Sequence, residues 1–246
     1  MRTSRRTVLI LLGLIATATA AFAHNYLPAK PGQSITTIPD ISVSRAAYRE
    51  ITSSDQVDVY EFNASKGQEL YIQMTVPLLD RERGFAPAFV LLYTGSQPAE
   101  FADPVLDKGT VQDPPHVVVD NVLPHNDEQD PALIGVAYDS SSDQVFDEPF
   151  TGTRYWIRQT LTVNAPVDGT YRIGVYSPDG TKGKYVLARG KREQFGFGDI
   201  LSLPGVRITV RQFCEEPVWP DVLVLSLLAA AALGGIGIGI YALAVL

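Results

Sequence analysis

The stretch VDVYEFNASKGQELYIQMTV, residues 57–76, decides the fold class of this chain. From Val57 to Phe62 apolar and acidic residues alternate, and this period of two is typical of a half-buried β-strand. Lys66-Gly67-Gln68 then marks a turn, and alternation resumes from Leu70 to Val76. The stretch therefore predicts two strands joined by a turn, each with one face in a core.

Other short segments extend this β pattern along the chain. Ala88–Tyr93 is a continuous apolar run, which is typical of a strand buried on both faces. Residues 154–163 form a longer run, rich in aromatic and β-branched residues. The remaining predicted strands are residues 117–119, 133–138, 170–176 and 184–187. Only residues 42–50 are predicted as a short helix, so the sequence predicts an all-β fold, an antiparallel β-sandwich or jelly roll.

Large aromatic residues at alternating positions are predicted to fill the core between two sheets. They are Tyr60, Phe62, Tyr71, Tyr171 and Tyr185. Gly67 and Gly183 are placed where tight turns require a positive φ angle, which glycine adopts without a steric penalty.

Residues 1–23 have the parts of an export signal. Arginines near the start are followed by the apolar run Val8–Ala16, and an A-x-A cleavage site ends at Ala23. Residues 4–9 also resemble the twin-arginine export motif, with Val8 where that motif prefers Phe. The sequence therefore predicts an exported protein and leaves general secretion and twin-arginine export open as routes.

Residues 219–246 are predicted as one C-terminal transmembrane helix. Residues 222–246 contain no charged side chain, and as a helix this length exceeds a hydrocarbon layer of about 30 Å. Trp219 and Pro220 precede them; tryptophan is enriched at membrane interfaces, and proline suits a first helical turn. The predicted location is the cell membrane, with a single span and the body of the protein on the extracytoplasmic side.

The composition agrees with this arrangement. Only 19% of the 246 residues are charged, against about 25% in typical soluble proteins, and the deficit lies at the two ends of the chain. The net charge of −7 argues against a nucleic-acid partner. The single cysteine, Cys214, excludes a disulfide framework within the chain and a zinc or iron–sulfur site built from cysteines.

A family resemblance covers residues 55–95 and 165–190. The residues that carry it are Asp58-x-Tyr60-x-Phe62-x-Ala64-x-x-Gly67-Gln68-x-Leu70-x-Ile72, Leu91-Leu92-Tyr93, Gly169-Thr170-Tyr171-x-Ile173-x-Val175 and Gly183-x-Tyr185-x-Leu187. In these positions the chain resembles the bacterial pre-peptidase C-terminal domain family. The resemblance implies a small jelly-roll sandwich, accessory to secreted enzymes, with binding or secretion-related roles. The chain departs from the family in an acidic insertion, residues 100–148, and it is expected to have no attached peptidase.

The chain is accordingly divided into five parts. They are a signal peptide (1–23), an N-terminal extension (24–54), a β-sandwich domain that includes the acidic insertion (55–190), a juxtamembrane stalk (191–218) and the transmembrane helix (219–246). Within the stalk, a short strand is predicted from Leu203 to Val210. The stalk is expected either to pack on the sandwich or to form a surface that meets a partner.

Oxygen-bearing side chains in the insertion form two candidate ligand sets for Ca²⁺, which is the candidate cofactor. Hard oxygen ligands that converge from a flexible loop are what Ca²⁺ prefers. The first set is Asp139, Ser141, Asp143, Asp147 and Glu148, and the second is Asn126, Glu128 and Asp130. The spacing lacks the glycine and the distal glutamate of an EF-hand, and a solvated acidic loop is the alternative.

The histidines give a second metal hypothesis. Cleavage after Ala23 would expose His24 as the N-terminal residue, whose amine and imidazole can chelate copper. His116 and His125 are the only other histidines and would complete such a copper site. N-termini are often frayed, which is the alternative for His24.

The protein is predicted not to be an enzyme. The sequence has no G-x-S-x-G motif, and no histidine lies near Cys214. A carboxylate pair of the kind used in glycoside hydrolysis is not excluded by motif. The predicted function is a binding or structural role at the cell envelope, with an envelope protein or a polysaccharide as partner. The alternative is a metal-binding envelope protein, with calcium ahead of copper.

Overall fold

A computed structural model describes residues 25–27, 35–94, 105–106, 132–137, 143–194, 197–227 and 229–230. Within these residues the chain forms two β-sheets followed by helix. The predicted strand at 117–119 and most of the acidic insertion lie outside the described residues.

The larger sheet has seven strands. They are β1 Asn25–Leu27, β3 Arg45–Ile51, β5 Glu69–Pro77, β7 Val105–Leu106, β9 Val145–Glu148, β10 Thr153–Asn164 and β12 Gly183–Arg189. Their order is β1-β3-β12-β5-β10-β7, and β9 also pairs with β10. The pairs are antiparallel except β1 with β3, which is parallel.

The smaller sheet has five strands. They are β2 Ile35–Thr37, β4 Asp58–Ala64, β6 Ala88–Tyr93, β8 Ala132–Ala137 and β11 Gly169–Tyr176, in the order β2-β4-β11-β6-β8. The pair of β2 with β4 is parallel and the other pairs are antiparallel. The predicted all-β sandwich is confirmed, with the correction that each sheet is mixed and not purely antiparallel.

The main core lies between the sheets and follows the alternation in the sequence. In β5, the side chains of Leu70, Ile72, Met74 and Val76 belong to this core. The predicted core residues Tyr60, Phe62, Tyr171 and Tyr185 belong to it as well. Tyr71 does not, and that prediction is wrong: it alternates with Leu70 and Ile72 in β5, so it lies on the outer face of the larger sheet.

Local predictions within the strands have mixed outcomes. All six residues of Ala88–Tyr93 are buried, as the continuous apolar run predicts. Gly67 has the predicted positive φ, 79°. Gly183 is not among the glycines with positive φ; a Cβ atom there would lie 2.6 Å from the Phe85 ring. Gly183 is therefore required for space and not for its backbone angle.

Residues 42–50 are not a helix, and that prediction is wrong. Arg45–Ile51 is strand β3, paired with β1 and β12. Ala47 and Ile51 belong to the main core, while Ala46 and Tyr48 are buried on the opposite face. Because both faces are buried, the alternation of apolar and polar residues that marks a strand is missing from the sequence.

Phe197–Phe213 is a helix, α1, which contains Pro204. The prediction of a short strand from Leu203 to Val210 is therefore wrong. Val210 of α1 packs with Tyr155 and Val186 on the outer face of the larger sheet. Cys214, which directly follows the helix, packs there as well. Of the two expectations for residues 191–218, the structure supports a segment that packs on the sandwich.

The sandwich has a distal end and a proximal end. At the distal end, turn 65–68 meets residues 165–168: the Gly67 N–H donates to the Ala165 carbonyl at 2.7 Å. At the proximal end lie the 3₁₀ helix Asp80–Glu82 and turn 149–152, which joins β9 to β10. Strand β10, with 12 residues, runs from one end to the other and spans about 40 Å.

Residues 219–227 form a second helix, α2, and residues 229–230 are helical again. The predicted transmembrane helix begins at the same residue, but 228 and 231–246 lie outside the described residues, as does the predicted signal peptide. In the described part of the chain, no helix has both the length and the apolar character needed to cross a membrane. Strands β1, β2 and β3 of the predicted N-terminal extension pair within the two sheets; the boundaries of the five parts stay predictions.

Candidate functional site

An open cleft lies on the outer face of the larger sheet, mostly towards the distal end, with Phe146 of β9 as its proximal boundary. Its volume is about 320 Å³, near the lower end of the range of roughly 300–1,000 Å³ that small-molecule sites occupy. Its lining residues are Ser44, Tyr71, Gln73, Phe146, Gly190, Lys191 and Glu193. They come from β5, β9 and the segments that precede β3 and follow β12.

Strand β5 supplies the floor of the cleft. Successive side chains of a strand point to opposite faces, and burial of Leu70, Ile72 and Met74 in the core places Tyr71 and Gln73 on the outer face. The Gln73 amide donates a hydrogen bond to Thr160 Oγ1 at 3.3 Å. This contact leaves the Gln73 side-chain carbonyl available to accept a hydrogen bond from a ligand.

Gly190 shapes one wall. Its φ is +67°, and a Cβ atom there would lie 2.5 Å from the Ser42 carbonyl oxygen, so only glycine fits without a shift of the backbone. The Arg192 N–H donates to Ser42 O at 3.0 Å, and the Ser44 N–H donates to Arg192 O at 2.9 Å. The segment after β12 therefore runs beside residues 42–44, and this path brings Lys191 and Glu193 to the cleft.

Lys191 supplies a positive charge at the rim. Its Nζ lies 4.9 Å from the centre of the Tyr71 ring, within the range of a cation–π contact. The same Nζ is 2.9 Å from Glu69 Oε1. Both side chains of this ion pair are about half exposed, so the pair adds little stability. Its effect is to hold the ammonium group over the aromatic ring.

Glu193 supplies a carboxyl group. Partial burial raises the pKa of Glu193, and a hydrogen bond with Ser44 offsets only part of that effect. Ser44 itself is 3% exposed. The cleft thus joins two aromatic rings, from Tyr71 and Phe146, to an amide, a hydroxyl, an ammonium and a carboxyl group. Such a surface can stack against a flat, partly apolar ligand and hydrogen-bond its edges.

The predicted calcium ligands are only partly within the described residues. Asp143 and Asp147 are exposed. Glu148 is 6% exposed, and its carboxylate accepts hydrogen bonds from the backbone N–H groups of Phe150 at 3.0 Å and Thr151 at 2.6 Å. Asp147 and Glu148 are neighbours in β9, so their side chains leave the strand on opposite faces. The structure does not bring these two carboxylates together.

The other predicted ligands lie outside the described residues: Asp139, Ser141, Asn126, Glu128 and Asp130 for calcium, and His24, His116 and His125 for copper. Where the structure does describe the chain, no three His, Cys, Asp or Glu side chains are grouped in a way that could hold a metal ion. The calcium and copper sites therefore stay predictions.

Glu148 begins a buried chain of polar contacts that ends at Cys214. Thr151 Oγ1 donates to Glu148 Oε2 and lies 2.6 Å from Thr153 Oγ1. Thr153 Oγ1 donates to the Tyr155 hydroxyl at 2.9 Å, and Cys214 Sγ donates to the same hydroxyl at 3.2 Å. Burial raises the pKa of Cys214 to about 11 and also raises that of Tyr155. Cys214 is therefore a protonated, buried thiol and a weak nucleophile at neutral pH.

Sequence reasoning missed Gln73, Lys191 and Glu193 as site residues and assigned Tyr71 to the core. The alternation in β5 was a usable signal, because Leu70, Ile72 and Met74 share one face and Tyr71 and Gln73 the other. For Lys191 and Glu193 we find no local signal, since the path of the chain after Gly190 depends on contacts with residues 42–44.

No protein-family model matches the chain, and the search of curated proteins finds no match. Among solved structures, it is similar to the pre-peptidase C-terminal domain of a collagenase from Bacillus anthracis, with 18% identity and a TM-score of 0.32 over 65% of this chain and 97% of that one. The predicted resemblance to the pre-peptidase C-terminal domain family is thus confirmed, as a similarity and not as membership of the family.

Two further solved structures are similar at the same level. One is PliG of Salmonella Typhimurium, a periplasmic inhibitor of g-type lysozyme, with 13% identity and a TM-score of 0.30 over 64% of this chain and 98% of that one. The other is CorA of Methylomicrobium album BG8, a surface-associated copper-binding protein, with 9% identity and a TM-score of 0.28 over 70% of this chain and 99% of that one. Similarities this low carry no argument about function.

Proposed function

We propose that this protein is a membrane-anchored, extracytoplasmic β-sandwich that binds a component of the cell envelope in the cleft beside Tyr71, without catalysis. The observation that carries the anchor is the exposed apolar surface of α2. In the described residues, the large hydrophobic side chains that are exposed lie on α2, with the single exception of Val145.

The exposure of α2 is unusual for a protein in water. Trp219 is 67% exposed and Leu227 is 61% exposed, and Val222, Leu223 and Val224 lie between them with about half of their surfaces exposed. Contiguous apolar surface of this kind marks a site that contacts a membrane or another protein. The sequence that follows, residues 228–246, contains no charged residue, which favours the hydrocarbon of a bilayer as the environment.

The export signal predicted over residues 1–23 places the sandwich on the extracytoplasmic side, and this location is part of the proposal. Most of the cleft is then held away from the bilayer. Tyr71, Gly190 and Lys191 lie towards the distal end, whereas α2 begins next to the proximal end.

The size of the cleft bears on the choice between the two predicted partners. A stable protein–protein interface takes about 20–30 residues on each partner, several times the seven residues that line the cleft. A volume of about 320 Å³ suits one or two rings of a saccharide chain. Tyr71 and Phe146 offer apolar surface to sugar rings, while the Gln73 amide and the Glu193 carboxyl can hydrogen-bond their hydroxyl groups. We therefore favour a polysaccharide.

The non-catalytic role is supported by the chemistry of the most obvious nucleophile. Cys214 is the single thiol, and it is 4% exposed, with a pKa raised by burial to about 11. A catalytic cysteine requires a lowered pKa and access to substrate. Cys214 has neither, and its contacts with Tyr155 and α1 make it a packing residue.

Binding is tested with the full chain in detergent micelles and a panel of soluble oligosaccharides of neutral, N-acetylated and uronic-acid types. We expect at least one to bind, and Tyr71→Ala to weaken it at least about tenfold, since loss of one well-packed contact of about 1.4 kcal/mol has that effect. Lys191→Ala should weaken binding of an acidic oligosaccharide, and Lys182→Ala, an exposed lysine at the other end of β12, should not. Binding that is absent from the whole panel, or equal in wild type and Tyr71→Ala, would contradict the proposal.

A further inference from the structure

The link between the sandwich and α2 is short and held by charged side chains. Only residues 214–218 separate α1 from α2. In the first turn of α2, Asp221 Oδ1 accepts a hydrogen bond from Arg207 Nε at 2.6 Å, and Asp221 Oδ2 lies 3.2 Å from Arg211 Nε. The Arg211 and Asp221 side chains are 13% and 16% exposed. Partly buried pairs of this kind resist salt better than exposed ones, so the three residues can hold two helices in a fixed relation.

The same two arginines also hold the sandwich. Arg211 Nη1 donates to the Thr151 carbonyl at 2.7 Å, and Arg207 Nη1 donates to the Phe150 carbonyl. Both carbonyls belong to turn 149–152 at the proximal end. Arg207 and Arg211 therefore bridge directly from the larger sheet to the first turn of α2, and we refer to Arg207, Arg211 and Asp221 as the clamp.

Glu215, within the link itself, forms a second attachment to the sandwich. Glu215 forms ion pairs with Arg81 of the 3₁₀ helix and with Lys184 of β12, the latter at 2.8 Å. Lys184 Nζ also donates to the Phe213 carbonyl, at 2.8 Å. The C-terminal end of α1 is thus tied to the proximal end of the sandwich at two separate places, through Glu215 and through the clamp.

We infer that the proximal end of the sandwich faces the lipid headgroups and that the clamp fixes this orientation, so that the domain stands on the bilayer and does not swing on a flexible stalk. This inference rests on the proposed anchor. The exposed apolar residues of α2 begin at Trp219 and continue from Val222, so Asp221 lies at the level where hydrocarbon gives way to headgroups. Turn 149–152 is joined to Asp221 by the side chains of Arg207 and Arg211, so the turn lies close to the same level.

The orientation predicts unequal distances from the membrane for the two ends, which lie about 40 Å apart along β10. Exposed lysines offer matched positions for a probe: Lys182 lies in the loop before β12 at the proximal end, and Lys66 lies in turn 65–68 at the distal end. Each is replaced by cysteine in the full chain and labelled with a fluorescent donor. The unaltered chain serves as the blank, because Cys214 is buried.

Each labelled protein is placed in phosphatidylcholine vesicles that carry an acceptor dye on a fraction of the headgroups. We expect several-fold more energy transfer from position 182 than from position 66. Asp221→Asn, which removes the carboxylate that the two arginines of the clamp share, should reduce that difference. Asp143→Asn, at an exposed aspartate outside the clamp, should leave it unchanged. Melting temperatures of both variants check that the sandwich remains folded.

Flotation of the same vesicles separates failure of this inference from failure of the proposed anchor. Protein that floats with the vesicles but gives equal transfer from both positions overturns the fixed orientation and leaves the anchor intact. A difference that survives Asp221→Asn in floating, folded protein overturns the role of the clamp. Protein that does not float overturns the anchor, and with it the orientation.

Discussion

Glu148, one of the predicted calcium ligands, forms hydrogen bonds with the turn that follows it. Its carboxylate accepts the N–H groups of Phe150 and Thr151 and the hydroxyl of Thr151, which closes the turn between β9 and β10. A buried carboxylate with three donors has few lone pairs left for a cation. The sequence pattern of acidic residues did not contain this information, because it depends on the turn that Glu148 itself closes.

Replacement of Glu148 by Gln is expected to destabilise the protein by about 1–3 kcal/mol, because an amide group cannot accept from all three donors and leaves a buried group unsatisfied. The matched control is Asp147→Asn, at an exposed neighbour in the same strand, which should change stability by less than about 0.5 kcal/mol. Thermal unfolding of the full chain in detergent, followed by near-ultraviolet circular dichroism, measures both. Equal melting temperatures for the two variants would show that the turn does not depend on Glu148.

At the scale of elements, the sequence pattern did not predict helix α1. Val206, Ile208 and Val210 alternate as in a strand, and Pro204-Gly205 just before them is typical of a turn. Val206, Val210 and Phe213 also have helical spacing, and these are the residues that pack on the larger sheet. Both periods are present in the same residues, so tertiary packing and not local propensity decides between them.

The strands of the two sheets were far more accessible to prediction. Ala88–Tyr93 and the segments of β4, β5, β10, β11 and β12 carry clear alternation or continuous apolar runs. The strands that were missed are short, as β2 and β9 are, or buried on both faces, as β3 is. The cleft could not be predicted because its walls come from segments distant in sequence, joined by hydrogen bonds between residues 42–44 and 192.

The attachment of α1 to the sandwich predicts a specific dependence on pH. Hydrogen bonding to Arg81, and then to Lys184, lowers the pKa of Glu215 to about 2 from an ordinary value of 4.5. A carboxyl whose pKa is lower in the folded state stabilises that state above its unfolded pKa. The contribution of Glu215 is therefore complete above about pH 4.5 and is lost as the pH falls towards 2.

Melting temperatures between pH 5 and pH 2.5 test this dependence. The unaltered protein should lose more stability over the range than Glu215→Gln does, because the variant has no carboxyl to protonate. Glu216→Gln, at the adjacent position outside the described ion pairs of Glu215, is the control and should follow the unaltered protein. The ion pairs of Glu215 would have no effect on stability if all three proteins gave parallel curves.

At the scale of the whole molecule, the chain is asymmetric along its long axis. Most of the residues that line the cleft lie towards the distal end of the larger sheet, while the exposed apolar helix α2 leaves from the proximal end. Between them, α1 covers the outer face of the larger sheet. This arrangement suits a protein that is fixed to a membrane at one end and binds at the other. The proposed function therefore depends above all on where α2 lies.

The two tryptophans of the chain make the position of α2 directly measurable. Trp156 is 7% exposed, whereas Trp219, at the start of α2, is 67% exposed. With Trp156→Phe, the fluorescence of the full chain reports Trp219 alone; with Trp219→Phe, it reports Trp156 alone. Both variants are reconstituted in vesicles of lipids brominated at a shallow or a deep position of the acyl chains.

We expect brominated lipids to quench Trp219, with shallow bromines more effective than deep ones because tryptophan sits at the membrane interface. We expect the same lipids to leave Trp156 unquenched. The opposite result is that no brominated lipid quenches Trp219 and that acrylamide reaches it as readily as in vesicle-free detergent solution. That result would show that α2 does not lie in the bilayer.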